Sequence, residues 1–315
     1  MRTKYIVKEI KIMKFKDWLS EWLEYYVKPR AKFRTQAIYA QQINKHIIPN
    51  LGEYELDELT ATTLQRFIVE LMEIGLSSNT VNGIINILSN SLQAAANLEK
   101  IKRNYMELIQ RPKNREKQVE CFSKEEQRKI ERYIIDNKKF SLYGIVICLY
   151  TGLRIGELLA LTWDDIDMKC ATMSITKTCR DTWQNGKYIK ILDSTKTIGS
   201  ERIIPFPKQL IPLLKELKKE AKGEFVVLGR TDQGAQIRSY QRTFENLLIK
   251  LETQHKGFHS LRHTFATRAT ECGVDVKTLS EILGHKNPTI TLKRYAHSLF
   301  AHKIDMMNKV GKSLV

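Results

Sequence analysis

The chain has 315 residues, 42% of them hydrophobic and 28% charged. That is enough apolar material for buried cores and too long for one small domain, so global disorder is excluded and two domains are expected. Lys and Arg number 52 against 35 Asp and Glu, a formal net charge of +17, and such an excess suits a polyanion, nucleic acid before a membrane surface. Cys121, Cys148, Cys170, Cys179 and Cys272 form no CxxC pair. The pattern offers neither zinc spacing nor a disulfide framework and suits a reduced, intracellular chain. The opening residues are too charged for a secretory segment, and the longest apolar run, around Tyr143–Leu149, is too short to span a bilayer.

Residues 1–14 read as a short basic arm. From 15 to 105 the pattern is helical. Phe15, Trp18, Leu19, Trp22 and Leu23 repeat on one face, and Ala37–Ile48 forms a second helix stopped at Pro49. Thr60–Ile74 and Ser78–Leu98 form two more, the last with Val81, Ile84, Ile85, Leu88 and Leu92 on one side. Residues 106–118, polar and basic around RPKNREKQ, suit an exposed linker. A second domain, 119–315, opens on a capping box at Ser123 and Glu126. A helix over Leu142–Tyr150 stops at Thr151-Gly152, and another begins near Arg154.

The period then changes. Met173, Ile175 and Thr178 alternate, Asn185-Gly186 marks a tight turn, and Tyr188–Leu192 follows, a hairpin signal. A third strand is expected at Glu201–Pro205, and helices at 208–222, 238–251, 259–272, 276–283 and 289–297. The fold class is therefore mostly α with a small antiparallel sheet in the second domain. Both parts are basic: residues 1–112 carry 16 Lys/Arg and 12 Asp/Glu, and residues 113–315 carry 36 and 23. A clamp touching a polyanion from two sides has this distribution.

The groups able to bind or protonate a phosphate gather late in the chain. His259 and Arg262 share a face at a helix start, where free N–H groups already favour an anion. His263, one step round, is expected to face elsewhere. Arg154 stands at another helix start with Glu157 one turn on, as a support for the site or a surface pair of little weight. His285 lies in a tight turn between Gly284 and the helix-capping Asn287-Pro288. Lys196 sits in a turn between strands, and Tyr295 follows on the last helix. Together these make a phosphate site without metal ligands or a carboxylate cluster, in which a hydroxyl nucleophile works among positive clamps.

The motifs TGLRIGEL, TKTIGSERIIP, HSLRHTFAT and LGH, followed by a late tyrosine, resemble in order and spacing those of the tyrosine recombinase, or phage integrase, family. The resemblance is strong over about 115–300 and weaker over 15–105. It implies a two-domain clamp on double-stranded DNA: a helical core-site-binding domain, then a catalytic domain ending in a tail. By that resemblance Arg154 and Arg262 hold the scissile phosphate, Lys196 protonates the leaving 5′ oxygen, and His259 assists proton transfer. His285 hydrogen-bonds the phosphate, Glu157 supports the site, and Tyr295 attacks to leave a 3′-phosphotyrosine. It further implies no cofactor and no metal, a homotetramer on two attachment sites passing through a Holliday junction, and an accessory bending protein or excisionase. The place of action is the bacterial cytoplasm at the nucleoid, with no membrane. The long hairpin and the sequence LGHKNPTIT point to an integrase of a mobile element. A Xer-like dimer resolvase or a non-catalytic regulator of the same fold are the alternatives. A type IB topoisomerase usually lacks the helical domain, and a metal-dependent nuclease needs a ligand cluster the sequence does not offer.

Overall fold

The computed structural model describes residues 13–114, 120–184, 187–194, 201–229 and 234–285, with positions 287, 289, 307, 308, 310–312 and 314. The chain separates into two compact units, Met1–Lys117 and Gln118–Val315.

The first unit is helical. Helix α1 (Phe15–Trp22) buries Phe15, Trp18, Leu19 and Trp22, the stripe its periodicity predicts, and Trp18 donates its indole N–H to the Ser91 carbonyl at 3.1 Å. Helix α2 (Phe33–Gln42) starts four residues before the expected Ala37 and runs through a π-helical turn at Ile43–Ile47 into α3 (Ile48–Leu51). Pro49 thus does not stop the helix. It sits in the first turn of α3, where its missing N–H costs little. Helices α4 (Ala61–Glu73) and α5 (Ser78–Asn97) are capped by Thr60 and Ser77, and their apolar faces close the core. The stretch read as linker is anchored to this unit as far as residue 114. Met106 and Ile109 are buried against its core, Gln110 N–H donates to Gln65 Oε1 at 2.9 Å, and Asn82 donates to the Pro112 carbonyl at 3.0 Å. Two apolar side chains suffice to dock a segment whose composition is otherwise that of a solvated one.

In the second unit α6 (Lys124–Asp136) begins at the expected capping box: Glu126 N–H donates to Ser123 Oγ at 3.1 Å and Ser123 N–H to Glu126 Oε2 at 2.7 Å. Helix α7 (Tyr143–Thr151) is buried on every side from Tyr143 to Leu149, the place a helix apolar all round must take. It ends at Gly152, whose φ of +66° reverses the chain into α8 (Ile155–Ala160). Strands β1 (Ile166–Asp167), β2 (Thr172–Ile175), β3 (Lys177–Gln184) and β4 (Lys187–Ser194) precede β5 (Arg202–Pro205).

They form two antiparallel sheets, β1-β2-β5 and the β3-β4 hairpin. The third expected strand therefore pairs with β2 and not with the hairpin. The register Met173↔Ile204 and Ile175↔Arg202 buries Met173, Ile175 and Ile204 together, so the core selects the partner. Helices α9 (Leu210–Glu220), α10 (Ile237–Lys250), α11 (His259–Glu271) and α12 (Val276–Leu283) complete the unit, with α9 and α11 packed on α7. Residues 1–12, the Asn185-Gly186 turn and residues 290–306 lie outside the described residues. Among the described residues, no helix is long and apolar enough to cross a membrane.

Gly152 tests how tightly the ends of α7 and α12 are packed, because a Cβ there would stand 2.4 Å from Phe265 Cδ1 and 2.9 Å from Leu283 Cδ2. Gly152→Ala combines left-handed strain with overpacking and is expected to cost about 2–5 kcal/mol in urea unfolding. Ser123→Ala, which loses only a cap, should cost about 1 kcal/mol. Equal costs would mean that the α7–α12 junction relaxes freely.

Candidate active site

The site is built around the C-terminal end of α12. The last carbonyls of any helix lack partners within it, and here each has another source. Gly284, left-handed at φ +63°, closes the helix: its N–H donates to the Glu281 carbonyl and the His285 N–H to the Ser280 carbonyl, both at 3.0 Å. The next three carbonyls accept from three different arginines. Arg202 Nε reaches Ile282 O at 2.8 Å, Arg262 Nη2 reaches Leu283 O at 2.6 Å, and Arg154 Nη2 reaches Gly284 O at 3.1 Å. The negative end of the helix dipole favours cations at this point.

Each arginine arrives by a separate route. Arg154 is the N-cap of α8, delivered by the reversal at Gly152. It is held by Glu157, whose Oε1 accepts from Nη1 at 2.8 Å and whose Oε2 accepts from the Arg154 backbone N–H at 2.9 Å. Arg262 lies one turn into α11 and is 2% exposed. Its Nη1 donates to the Gly152 carbonyl at 2.9 Å, so one guanidinium bridges the ends of α7 and α12. Arg202 is the first residue of β5 and stands across from Ile175. Its fork meets Glu157, with Nη2 to Oε2 at 2.9 Å and Nη1 to Oε1 at 3.2 Å.

Arg154 and Arg202 share the Glu157 carboxylate while Arg262 is held on neighbouring carbonyls, so three guanidiniums and one carboxylate leave two formal positive charges in the cluster. Burial alone would push the Glu157 carboxyl up. The hydrogen bond and charge of Arg202, then the charge of Arg154, outweigh it and hold the group down to about 2. Glu157 is therefore ionised at neutral pH.

His285 stands beside this cluster with its Nε2 2.9 Å from Arg262 Nη2. A guanidinium has no acceptor, so Nε2 accepts and the imidazole proton is on Nδ1. Ser280 Oγ donates to the His285 carbonyl at 3.3 Å and steadies the turn. Asn287 accepts from the Thr289 N–H at 2.9 Å, the expected capping contact.

His259, the exposed first residue of α11, differs from expectation. Its ring meets that of His263, edge to face, at 4.6 Å between centroids. The expectation that His263 turns away from His259 is corrected: four residues advance a helix by about 400°, so position i+4 lies closer in azimuth than i+3. The start of α11 is fastened by Lys256, 7% exposed, whose Nζ donates to Glu126 Oε1 and Oε2 at 2.8 and 2.9 Å. Farther along the helix, Thr264 Oγ1 accepts from the Phe122 N–H at 2.9 Å and Arg268 donates to the Phe122 carbonyl at 2.8 Å.

The structure thus brings Arg154, Glu157, Arg262 and His285 into one cluster. Lys196 and Tyr295 lie outside the described residues. The motif reading passed over Arg202. Its signal was available in TKTIGSERIIP: an arginine within an apolar strand, a position where an unpaired charge is not tolerated. Among the described residues no cluster of three or more His, Cys, Asp or Glu could hold a metal ion.

A second basic surface lies on the same unit. Arg238 and Arg242, one turn apart on α10, line an open groove with Tyr188, Gln236 and Asn246. The hairpin is fastened there by Asp181, which accepts from the Ile237 and Arg238 N–H groups at 3.2 and 3.0 Å, and by Gln236, which donates to the Tyr188 carbonyl at 2.8 Å.

Known proteins resemble the chain in family and in fold. The phage integrase family matches residues 112–302, and the phage integrase N-terminal SAM-like domain matches residues 14–72. The chain is 29% identical to a tyrosine recombinase XerC-like protein of Caldanaerobacter subterraneus subsp. tengcongensis, over 93% of this chain and 81% of that one. It is also 29% identical to the ICEBs1 integrase of Bacillus subtilis, over 86% and 76%. In structure it is similar to the Tn1549 transposon integrase in complex with transposon right end DNA, with a TM-score of 0.82 at 23% identity, covering 95% of this chain and 100% of that one. With the family matched over most of the chain and the fold matched over nearly all of it, the chain belongs to the phage integrase family of tyrosine recombinases.

Proposed function

We propose that the protein is the integrase of a mobile element, which cuts and rejoins double-stranded DNA at specific sites through a 3′-phosphotyrosyl intermediate. The observation that carries this reading is the cluster of Arg154, Arg202 and Arg262 on three consecutive helix-end carbonyls, a surplus of positive charge that the single carboxylate of Glu157 does not cancel. Rigid donors aimed at developing negative charge are the main resource of metal-independent phosphoryl transfer. In this reading Arg154 and Arg262 hold the non-bridging oxygens, and His285, with its proton on Nδ1, donates to the same phosphate. Tyr295 Oη attacks phosphorus, the P–O5′ bond breaks, and Lys196 gives its proton to the leaving 5′ oxygen while His259 assists proton transfer. A 5′-hydroxyl from a partner strand then attacks the phosphotyrosine and releases Tyr295, so the phosphodiester count is conserved and no nucleotide is consumed.

Residues 15–105 supply core-site contacts, 106–118 lead to the second unit from a stretch docked on the first as far as 114, and 119–315 carry the chemistry. Two rounds of exchange pass through a Holliday junction in a homotetramer on two DNA sites, with an accessory bending protein or excisionase setting direction. The work takes place at the nucleoid in the bacterial cytoplasm. The groove beside α10 offers Arg238 and Arg242 to the DNA backbone.

The direct test is covalent trapping on a nicked substrate carrying the element's end sequences, with EDTA present. Wild type should give a detergent-stable adduct and Tyr295→Phe none, with DNA affinity unchanged; an adduct from the mutant would remove Tyr295 from the role. In the same assay Arg262→Ala should slow cleavage by about a thousandfold and His263→Ala far less. Equal losses would contradict the placement of Arg262 on the phosphate. Replacing Arg238 or Arg242 by Ala should lower the slope of log K against log salt by about 0.9 each, and an unchanged slope would take α10 off the backbone.

A further inference from the structure

Arg202 is the component of the cluster that no motif role explains. Its side chain is 9% exposed and Gly284 lies directly against its guanidinium, where a Cβ would stand 2.9 Å from Nη1 and 3.0 Å from Cζ. All three nitrogens of this guanidinium donate within the cluster, Nε to the Ile282 carbonyl and both Nη to Glu157, so its donors are directed at the protein and not at a DNA phosphate. What it does touch is informative. Glu157, 5% exposed, receives Arg202 as a fork on both carboxylate oxygens, while Arg154 reaches Oε1 with a side chain that is 38% exposed. The carboxylate is thus shared between a covered arginine and a solvent-facing one.

Charge accounting gives the sharing a purpose. A buried carboxylate facing Arg154 without Arg202 would draw that guanidinium into a closed, neutral pair, and a neutral pair offers little to an anion. With Arg202 present, the Arg202–Glu157 pair is neutral as a unit and the charge of Arg154 remains uncancelled. The same guanidinium donates Nε–H to Ile282 O at 2.8 Å, three residues before His285. Its backbone opens β5, paired with β2 in the three-stranded sheet, six residues after Lys196 in the sequence. Arg202 therefore joins the carboxylate, the His285 turn and the strand that follows the Lys196 segment.

Resting on the recombinase reading above, we infer that Arg202 is a positioning residue for strand cleavage: it takes up the charge of Glu157 so that Arg154 presents an uncancelled guanidinium to the scissile phosphate. Arg202 does not contact the phosphate itself. It acts through Glu157, and removing the charge of Glu157 should make it dispensable in part.

The experiment is a charge-rescue cycle on the full chain. Single-turnover cleavage of the nicked substrate is measured at saturating protein for wild type, R202K, R202M, E157Q and R202M/E157Q. DNA affinity is measured alongside, at a temperature where circular dichroism finds every variant fully folded. R202M should cleave about a hundredfold more slowly than wild type with nearly unchanged affinity, and R202K should fall between them. Adding E157Q to R202M should recover the rate by about tenfold or more, because no carboxylate then competes for Arg154. A merely structural Arg202 gives the opposite result: the double variant loses further hydrogen bonds and cleaves no faster than R202M. That result, or equal rates for R202K and R202M, overturns the inference. If R202M does not fold, R202Q takes the neutral arm. If neither folds, R202K decides, since a loss as complete as that of Tyr295→Phe would refute a role in charge. Absence of adduct from wild type, by contrast, would count against the recombinase reading, and wild-type rates in every Arg202 variant would count against this inference alone.

Discussion

Three consecutive carbonyls at the end of one short helix hold the candidate site together. Ile282, Leu283 and Gly284 each accept from a different arginine, and those arginines come from a strand, from a buried helix and from a helix cap. A helix C-terminus is electron-rich and short of donors, and guanidiniums are planar, permanently charged and rich in donors. Joining the two satisfies both and also fixes where the positive charge lies. Because these three bonds run to backbone, the positions of their acceptors do not depend on side-chain rotamers.

The rest of the second unit serves this junction. Helix α7 is buried on all sides so that its end, Gly152, can meet Leu283 and present a carbonyl to Arg262. Helix α11 is tied along its length to the chain entering α6, through Lys256 and Glu126 at its start and through Thr264 and Arg268 farther on. Strand β5 is placed by the buried pairing of Met173 with Ile204, which sets Arg202 at the strand's open end. Burying Glu157 among cations costs desolvation and is repaid only because the hydrogen bonds are complete. An incomplete version of the same cluster would be worse than none, which accounts for the density of contacts around a single carboxylate.

Local signals were legible wherever the chemistry was local. The Ser123–Glu126 capping box, the reversal at Gly152, the bounds of α12 and the stripe of α1 all follow from residues within one or two turns of each other. Arg154, Glu157, Arg262 and His285 were legible as candidates because each stands at a helix start or turn. Their convergence was visible only through resemblance to a family. The start of α2 was misjudged because none of its residues is buried, so it has no apolar stripe to mark it. The facing of His263 was misjudged because the difference between i+3 and i+4 decides which ring is nearer.

The sequence by itself determined most of the helices and their caps, the hairpin, the basic character of both parts and the inventory of candidate phosphate-binding groups. Each of these rests on short-range periodicity, backbone preference or simple charge. Only the tertiary structure decided that β5 pairs with β2, that Arg202 lies beneath Gly284, and that Glu157 is shared between two arginines. Apart from the local Arg154–Glu157 pair, those contacts join residues 27 to 82 positions apart. At such separations nothing local specifies the partner, and the choice falls to the packing of the core and to the requirement that every buried charge and helix-end carbonyl be satisfied.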